Sequence, residues 1–211
     1  MAAKLSPEEI AKTVVKCDRA FAATVRRVGP PPVRRNAPAQ KRFASLIESI
    51  TSQLVSIKAA DTIYGRIMES CGGVVTPQSI LTAGFDPLRA AGLSGTKTQA
   101  MLDLAQRALD GRLNLANHPK MSSAEVSREL TSVKGIGPWT AEMYLLFSLA
   151  RHDVWPHLDF GVRAGWSIIH DLPEMISVRD LKAMGERFPE VQSEAAWYCW
   201  RALEHSRNLG R

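Results

Sequence analysis

Cysteine is scarce in this chain. The three present, Cys17, Cys71 and Cys199, are odd in number and far apart, which argues against a disulfide framework and suits a reducing compartment. They also rule out a four-cysteine zinc or iron–sulfur centre built within the chain. Histidine does not fill the gap. His118, His152, His157, His170 and His205 show no metal-ligand spacing and read as surface or packing residues. No apolar run reaches the roughly 18 residues of a membrane-spanning helix. The opening MAAKLSPEEI lacks the basic-then-apolar pattern of an export signal. Repeats and low-complexity tracts are missing, and no convincing strand appears beyond short extended pieces. Acidic residues are outnumbered: 27 Lys and Arg against 21 Asp and Glu leave a net charge of +6. Such a balance favours a polyanionic partner, although a basic protein without one is the plainer alternative.

What is present reads as helix. The 211 residues suffice for one large or two small domains, and 45% hydrophobic with 23% charged residues is a globular mix. Ser6-Pro7-Glu8-Glu9 is a capping box with proline in the first turn. It predicts a helix over 7–28, with Ile10, Val14, Val15, Phe21 and Val25 inward, stopped by Gly29 and Pro30 to Pro32. An extended linker to Pro38 follows. Helical spacing of Phe43, Leu46, Ile47, Ile50 and Leu54 predicts a helix over 40–54, and another follows over 56–70. Thr76-Pro77 and Asp86-Pro87 start short helices. Longer ones are expected over 95–109 and, from the Ser122/Glu125 capping box, over 122–130. After Asp159, helices are expected near 160–169, 177–187 and 193–206.

The densest information lies in Leu130 to Asp159, LTSVKGIGPWTAEMYLLFSLARHDVWPHLD. Gly135 and Gly137 flank Ile136, so the backbone can take positive φ at two positions while Ile136 buries and pins the turn. Pro138 then suits the first helical position. A helix over 139–149 follows, with Ala141, Tyr144, Leu145 and Ser148 on one face. The N–H groups at its start, beside a glycine that permits close approach, form an anion site. A Gly-x-Gly before a helix is otherwise an ordinary turn. Here it is followed by a lone carboxylate, Asp159, which can do chemistry or simply cap the helix from Phe160.

These residues resemble the helix-hairpin-helix base-excision DNA glycosylases, and most of all the 3-methyladenine DNA glycosylase II group. The match runs from about Phe43 to Arg201. It is carried by Val133-Lys-Gly-Ile-Gly-Pro-Trp-Thr-Ala-Glu-Met143 and Asp153-Val-Trp-Pro-His-Leu-Asp159. Support comes from Ser52-Gln-Leu-Val-Ser-Ile-Lys-Ala-Ala60, Gly92-Leu-Ser-Gly-Thr-Lys97 and Ala195-Ala-Trp-Tyr-Cys-Trp-Arg201. The resemblance implies an all-α, bilobed fold with DNA across the cleft: 38–147 as the lobe holding the hairpin at 133–137, and 1–37 plus 148–211 as the lobe carrying Asp159. It implies the compact form, without the added β-rich domain of some relatives. A chain of this kind is expected to act as a monomer on damaged double-stranded DNA, in the cytoplasm at the nucleoid of a bacterium or in a eukaryotic nucleus.

Roles follow residue by residue. Asp159 matches the family's catalytic aspartate, which stabilises the positive sugar that forms as an N-glycosidic bond breaks. Bifunctional relatives place a lysine nucleophile just after the hairpin. Trp139 stands there, and an indole forms no Schiff base, so a monofunctional enzyme without lyase activity is expected. Alkylated purines are cationic and stack on aromatic faces. Trp139 is the first pocket residue, with core packing as its alternative. Trp155 and Trp197 are secondary, and for Trp197 and Trp200 packing is the favoured reading. Met143 and Val191 stand where some relatives carry aromatics, and the run Phe188-Pro-Glu-Val-Gln-Ser193 keeps only Ser193 of the usual pattern. Gln53 and Leu54 match the wedge that fills the gap in the duplex, Gln53 being preferred, and Ser56 would touch phosphate. Backbone grip falls to Lys134, Gly135, Gly137 and Thr140, with Lys97 and Arg163 as further contacts. A basic cluster of Arg26, Arg27, Arg34, Arg35, Lys41 and Arg42 around the linker reads either as a second DNA surface or as plain solvated charge. The resemblance also implies a sodium or potassium ion at the hairpin carbonyls of Val133 and Ile136, and no other cofactor. An alkylpurine glycosylase is the leading reading. The alternatives are a glycosylase for deaminated or ethenoadduct bases and a DNA-binding protein without catalysis.

Overall fold

A computed structural model describes residues 5–209, and among the described residues it is helical with no strand. The all-α expectation therefore holds. In chain order the helices are α1 Pro7–Cys17, α2 Ala22–Val28, α3 Ala39–Ser52, α4 Ile57–Ser70, α5 Pro77–Ala83 and α6 Phe85–Ala90. They continue with α7 Gly95–Leu109, α8 Ser123–Thr131, α9 Pro138–Phe147, α10 Phe160–Ile169, α11 Val178–Met184 and α12 Gln192–Leu209. No helix among the described residues is long and apolar enough to cross a membrane.

Local signals account for most starts. Ser6, Thr76 and Ser122 close reciprocal capping boxes with Glu9, Ser79 and Glu125, each satisfying two N–H groups the helix itself leaves open. The first long helix is a correction. The segment expected as one element over 7–28 breaks at Asp18, where the backbone is extended and the side chain caps a 3-10 turn over Arg19–Phe21. The buried Asp18 carboxylate accepts from His170 Nε2 at 3.0 Å and pairs with Arg187 at 3.1 Å. Those partners come from the far end of the chain and hold the break.

The chain divides into two compact units. One comprises Met1–Arg34 with Arg151–Arg211, the other Arg35–Ala150. The first is built on α10 against α12. Phe21, Trp155, Trp166, Phe188 and Val191 pack in its core, and Trp155 stacks on Phe188. In the second unit, Phe43, Leu46, Ile47 and Ile50 of α3 bury against α7 and α9. Helix α9 is apolar almost all round: Ala141, Met143, Tyr144, Leu145 and Leu146 are all buried. It is a central helix of its unit, exposed only at its two ends, at Pro138 and Phe147.

Candidate functional site

In the second unit, α8 and α9 are joined by the hairpin. Ile136 N–H donates to Val133 O at 3.0 Å, closing a tight turn. Val133 and Ile136 are buried and pin it, while Lys134 is exposed. Of the two glycines only Gly135 takes positive φ, +92°, and a Cβ there would lie 2.7 Å from the Ala100 Cβ on α7. Gly137 does not share that conformation. It is extended, at φ −92° and ψ 175°, and serves as the N-cap of α9 without any side chain to satisfy the first turn. A Cβ at Gly137 would meet nothing within 4 Å. The α9 N-terminus thus faces open space, as an anion-binding turn requires.

The loop after α3 is tied to this hairpin by side chains. Gln53 Nε2 donates to Gly135 O at 3.2 Å and to the Thr140 hydroxyl at 2.8 Å. Lys97 Nζ, from α7, donates to Thr51 O at 3.0 Å and Gln53 O at 2.5 Å. It thereby caps the C-terminal carbonyls of α3, and burial holds its ammonium below the usual lysine range. Leu54 follows in the left-handed region at φ +56°, with its side chain fully exposed at 104%. A branched apolar residue in that conformation costs about 1–2 kcal/mol. It persists because Gln53 and Lys97 fix the residue before it, a pattern that marks functional loops. Ser56 then caps α4, its Oγ accepting from Ala59 N–H at 3.3 Å.

In the first unit, Asp159 is the N-cap of α10, and Oδ1 accepts from Val162 N–H at 2.9 Å. The same oxygen accepts from Trp200 Nε1 of α12 at 2.8 Å. The approach to Asp159 is equally fixed. Ser193 Oγ accepts from Val154 N–H at 3.1 Å, Ser193 N–H donates to His152 O at 3.1 Å, and Asp159 N–H donates to Pro156 O at 3.0 Å. Glu194, buried beside Ser193, binds His152 Nδ1 at 2.8 Å and pairs with Arg34. Cys199, next to Trp200, is fully buried; that burial, and then the Asp159 and Asp18 carboxylates, hold its thiol well above the usual range.

Residues 47–189 match the family model of the HhH-GPD superfamily base excision DNA repair proteins. The chain belongs to this superfamily. DNA-3-methyladenine glycosylase 1 of Schizosaccharomyces pombe is 30% identical over 204 residues, covering 92% of this chain and 90% of that protein. The structure of S. pombe Mag1 in complex with abasic DNA superimposes with a TM-score of 0.83 at 30% identity, over 91% of this chain and 95% of that one. A DNA-3-methyladenine glycosidase from Bacillus halodurans gives 0.81 at 30% identity, over 94% and 91%.

Within this HhH-GPD framework several expected site residues are placed elsewhere. Trp155 is in the core and its N–H donates to Leu181 O at 2.7 Å, so it offers no face to a base. Val191 is wholly buried in the same core, and Met143 is buried within the other unit. Trp197 is half-buried against the core, with Tyr198 on one edge and the Arg201 guanidinium 5.6 Å over its ring. Only Trp139, half-buried in the first turn of α9, stays at a site boundary. The Thr140 hydroxyl is buried and accepts from Gln53 Nε2.

The basic residues divide in the same way. Lys97 spends its ammonium on the α3 carbonyls. Arg163 Nε and Nη2 both donate to Ile176 O, at 3.0 and 2.9 Å. Arg42 is buried and donates to Ala37 O and Leu115 O, and Arg34 pairs with Glu194. Arg26, Arg27, Arg35 and Lys41 remain exposed. A guanidinium reads the same in sequence whether it meets water or a carbonyl, so composition could not separate these. The roles of Trp200 and Ser193 are hidden in the sequence for a related reason. Their partners, Asp159 and the chain before it, lie about 40 residues away.

Proposed function

We propose that the chain is a monofunctional DNA glycosylase that takes alkylated purines, of the 3-methyladenine and 7-methylguanine type, out of double-stranded DNA and hydrolyses their N-glycosidic bond. The observation that carries the reading is the Asp159 carboxylate, held on one oxygen by two N–H donors at the start of α10. The likeness to 3-methyladenine glycosylases supports it. In the reaction the C1′–N bond breaks, and the base leaves with the bonding pair. An N-alkylated purine is already cationic and departs neutral, so a strong general acid is dispensable. Asp159 stabilises the positive sugar, water adds to C1′, and its proton passes to solvent.

The other parts follow from the same geometry. The backbone turn at Gly135 and Gly137, with Lys134 beside it, holds the phosphate. Trp139, at the mouth of that turn, offers the stacking face. Leu54, not Gln53, is the wedge: Gln53 spends its amide on the hairpin, whereas Leu54 presents its whole side chain to solvent. Val133 O keeps a lone pair beyond the Ile136 bond, so the Val133 and Ile136 carbonyls suit a sodium or potassium ion, whose charge would add to the phosphate grip.

The test is release of free base from methylated genomic DNA, then from duplexes carrying one defined lesion. Alkylpurines should be released, and borohydride should trap no covalent DNA adduct, because Trp139 stands where a lysine would be needed. Release confined to deaminated or ethenoadduct bases, or a trapped adduct, would refute this reading; DNA binding without release would make the chain a binding protein.

Leu54→Asn separates wedge from scaffold. Asparagine tolerates the left-handed conformation and no packing is lost. Stability by thermal melting should rise by up to about 1 kcal/mol, while base release slows. A destabilised variant with normal release would refute the assignment.

A further inference from the structure

We infer that Trp200 is the positioning residue for the Asp159 carboxylate, and that Gly161 and Gly165 exist in α10 to bring it there. The inference rests on Asp159 being the catalytic group.

Three observations converge. The first is the bond itself, Trp200 Nε1 to Asp159 Oδ1 at 2.8 Å. The terminal torsion of an aspartate is broad, and the cap bond from Val162 comes from the carboxylate's own helix. A second donor from another helix, on the same oxygen, fixes the plane. The second is the use each indole makes of its N–H. Trp155, a packing residue, donates to a main-chain carbonyl, Leu181 O. Trp200 donates to the one carboxylate to which the chemistry is assigned.

The third is the spacing of glycines in α10. Two glycines within ten helical residues weaken a helix, so another gain must hold them there. A Cβ at Gly165 would lie 1.9 Å from Cys199 O, and one at Gly161 would lie 2.7 Å from Trp200 Cδ1 and 3.1 Å from Asp159 Oδ1. Gly165 lets the α12 backbone approach, and Gly161 leaves room for the indole over the first turn of α10. Packing alone would be served by a phenylalanine at position 200. Only a ring with an N–H serves the carboxylate. Ser193, seven residues earlier on α12, holds the chain before Asp159. One helix therefore sets both the path and the aim of the acid.

The experiment is a double-mutant cycle on single-turnover release of base from an alkylated duplex, with affinity for abasic-site DNA and thermal melting measured in parallel. Trp200→Phe should slow release by about ten- to a hundredfold, the worth of one bond to a charged group, at unchanged DNA affinity. In an Asp159→Asn background it should add nothing. Gly161→Ala, whose methyl presses on the indole, should reproduce the pattern, and it stands in if the phenylalanine variant folds poorly. Full activity of Trp200→Phe, or an equal slowing in both backgrounds, would overturn the inference and leave the function intact. Full activity of Asp159→Asn would instead overturn the function on which it rests.

Discussion

Asp159→Asn is expected to slow base release by on the order of 10²–10³-fold, the usual cost of losing one electrostatic element aimed at a developing charge, with stability and DNA affinity nearly unchanged. The separation is possible because the residue has two jobs of different chemistry. As the α10 N-cap it supplies an acceptor to Val162 N–H, and asparagine caps about as well as aspartate. The amide oxygen also accepts from Trp200. What asparagine cannot supply is negative charge beside the sugar. Single-turnover release against binding of abasic-site DNA decides the matter. A variant lost in both assays would make Asp159 a structural cap.

Gly165→Ala should be the most damaging single methyl in the first unit. Its Cβ would sit 1.9 Å from Cys199 O and 2.4 Å from Cys199 C, a collision with backbone that no rotamer change can relieve. Overpacking a core typically costs about 1–3 kcal/mol and sometimes more. A backbone clash belongs at or above the top of that range, so the melting temperature should fall by roughly 6–12 °C. Gly137→Ala is the control. Its added methyl meets nothing and its backbone is extended, so its melting temperature should stay near wild type. Equal melting for the two variants would contradict the close α10–α12 approach.

Local chemistry made much of this structure legible in the sequence. The capping boxes at Ser6 and Ser122, the proline start at Pro77 and the buried pin Ile136 depend on neighbours within a few residues, and they appear as expected. What escaped depends on distant partners. Asp18 breaks a helix whose apolar period runs on through Phe21, because His170 and Arg187 reach it from the far end of the chain. Lys97 is tied to α3 carbonyls 44 and 46 residues back in the chain, a tie that no local spacing announces. Trp155 is a secondary pocket candidate in the sequence and Val191 stands where some relatives carry an aromatic, yet Trp155 stacks on Phe188 with Gly185 at close range, and Val191 is buried in the same core. The one distant relation with a readable sign is the α10–α12 approach: glycines four apart inside a helix ask for a partner at close range.

The agents that alkylate purines are electrophiles, and in a protein they attack thiolates first. Burial raises the thiol of Cys17, of Cys71 and most of all of Cys199, where Asp159 adds its own charge. The close helix contact that seats an indole on the carboxylate also closes over the sulfur beside it. Cys71 and Cys199, buried and held as thiols, offer such an electrophile no ready thiolate.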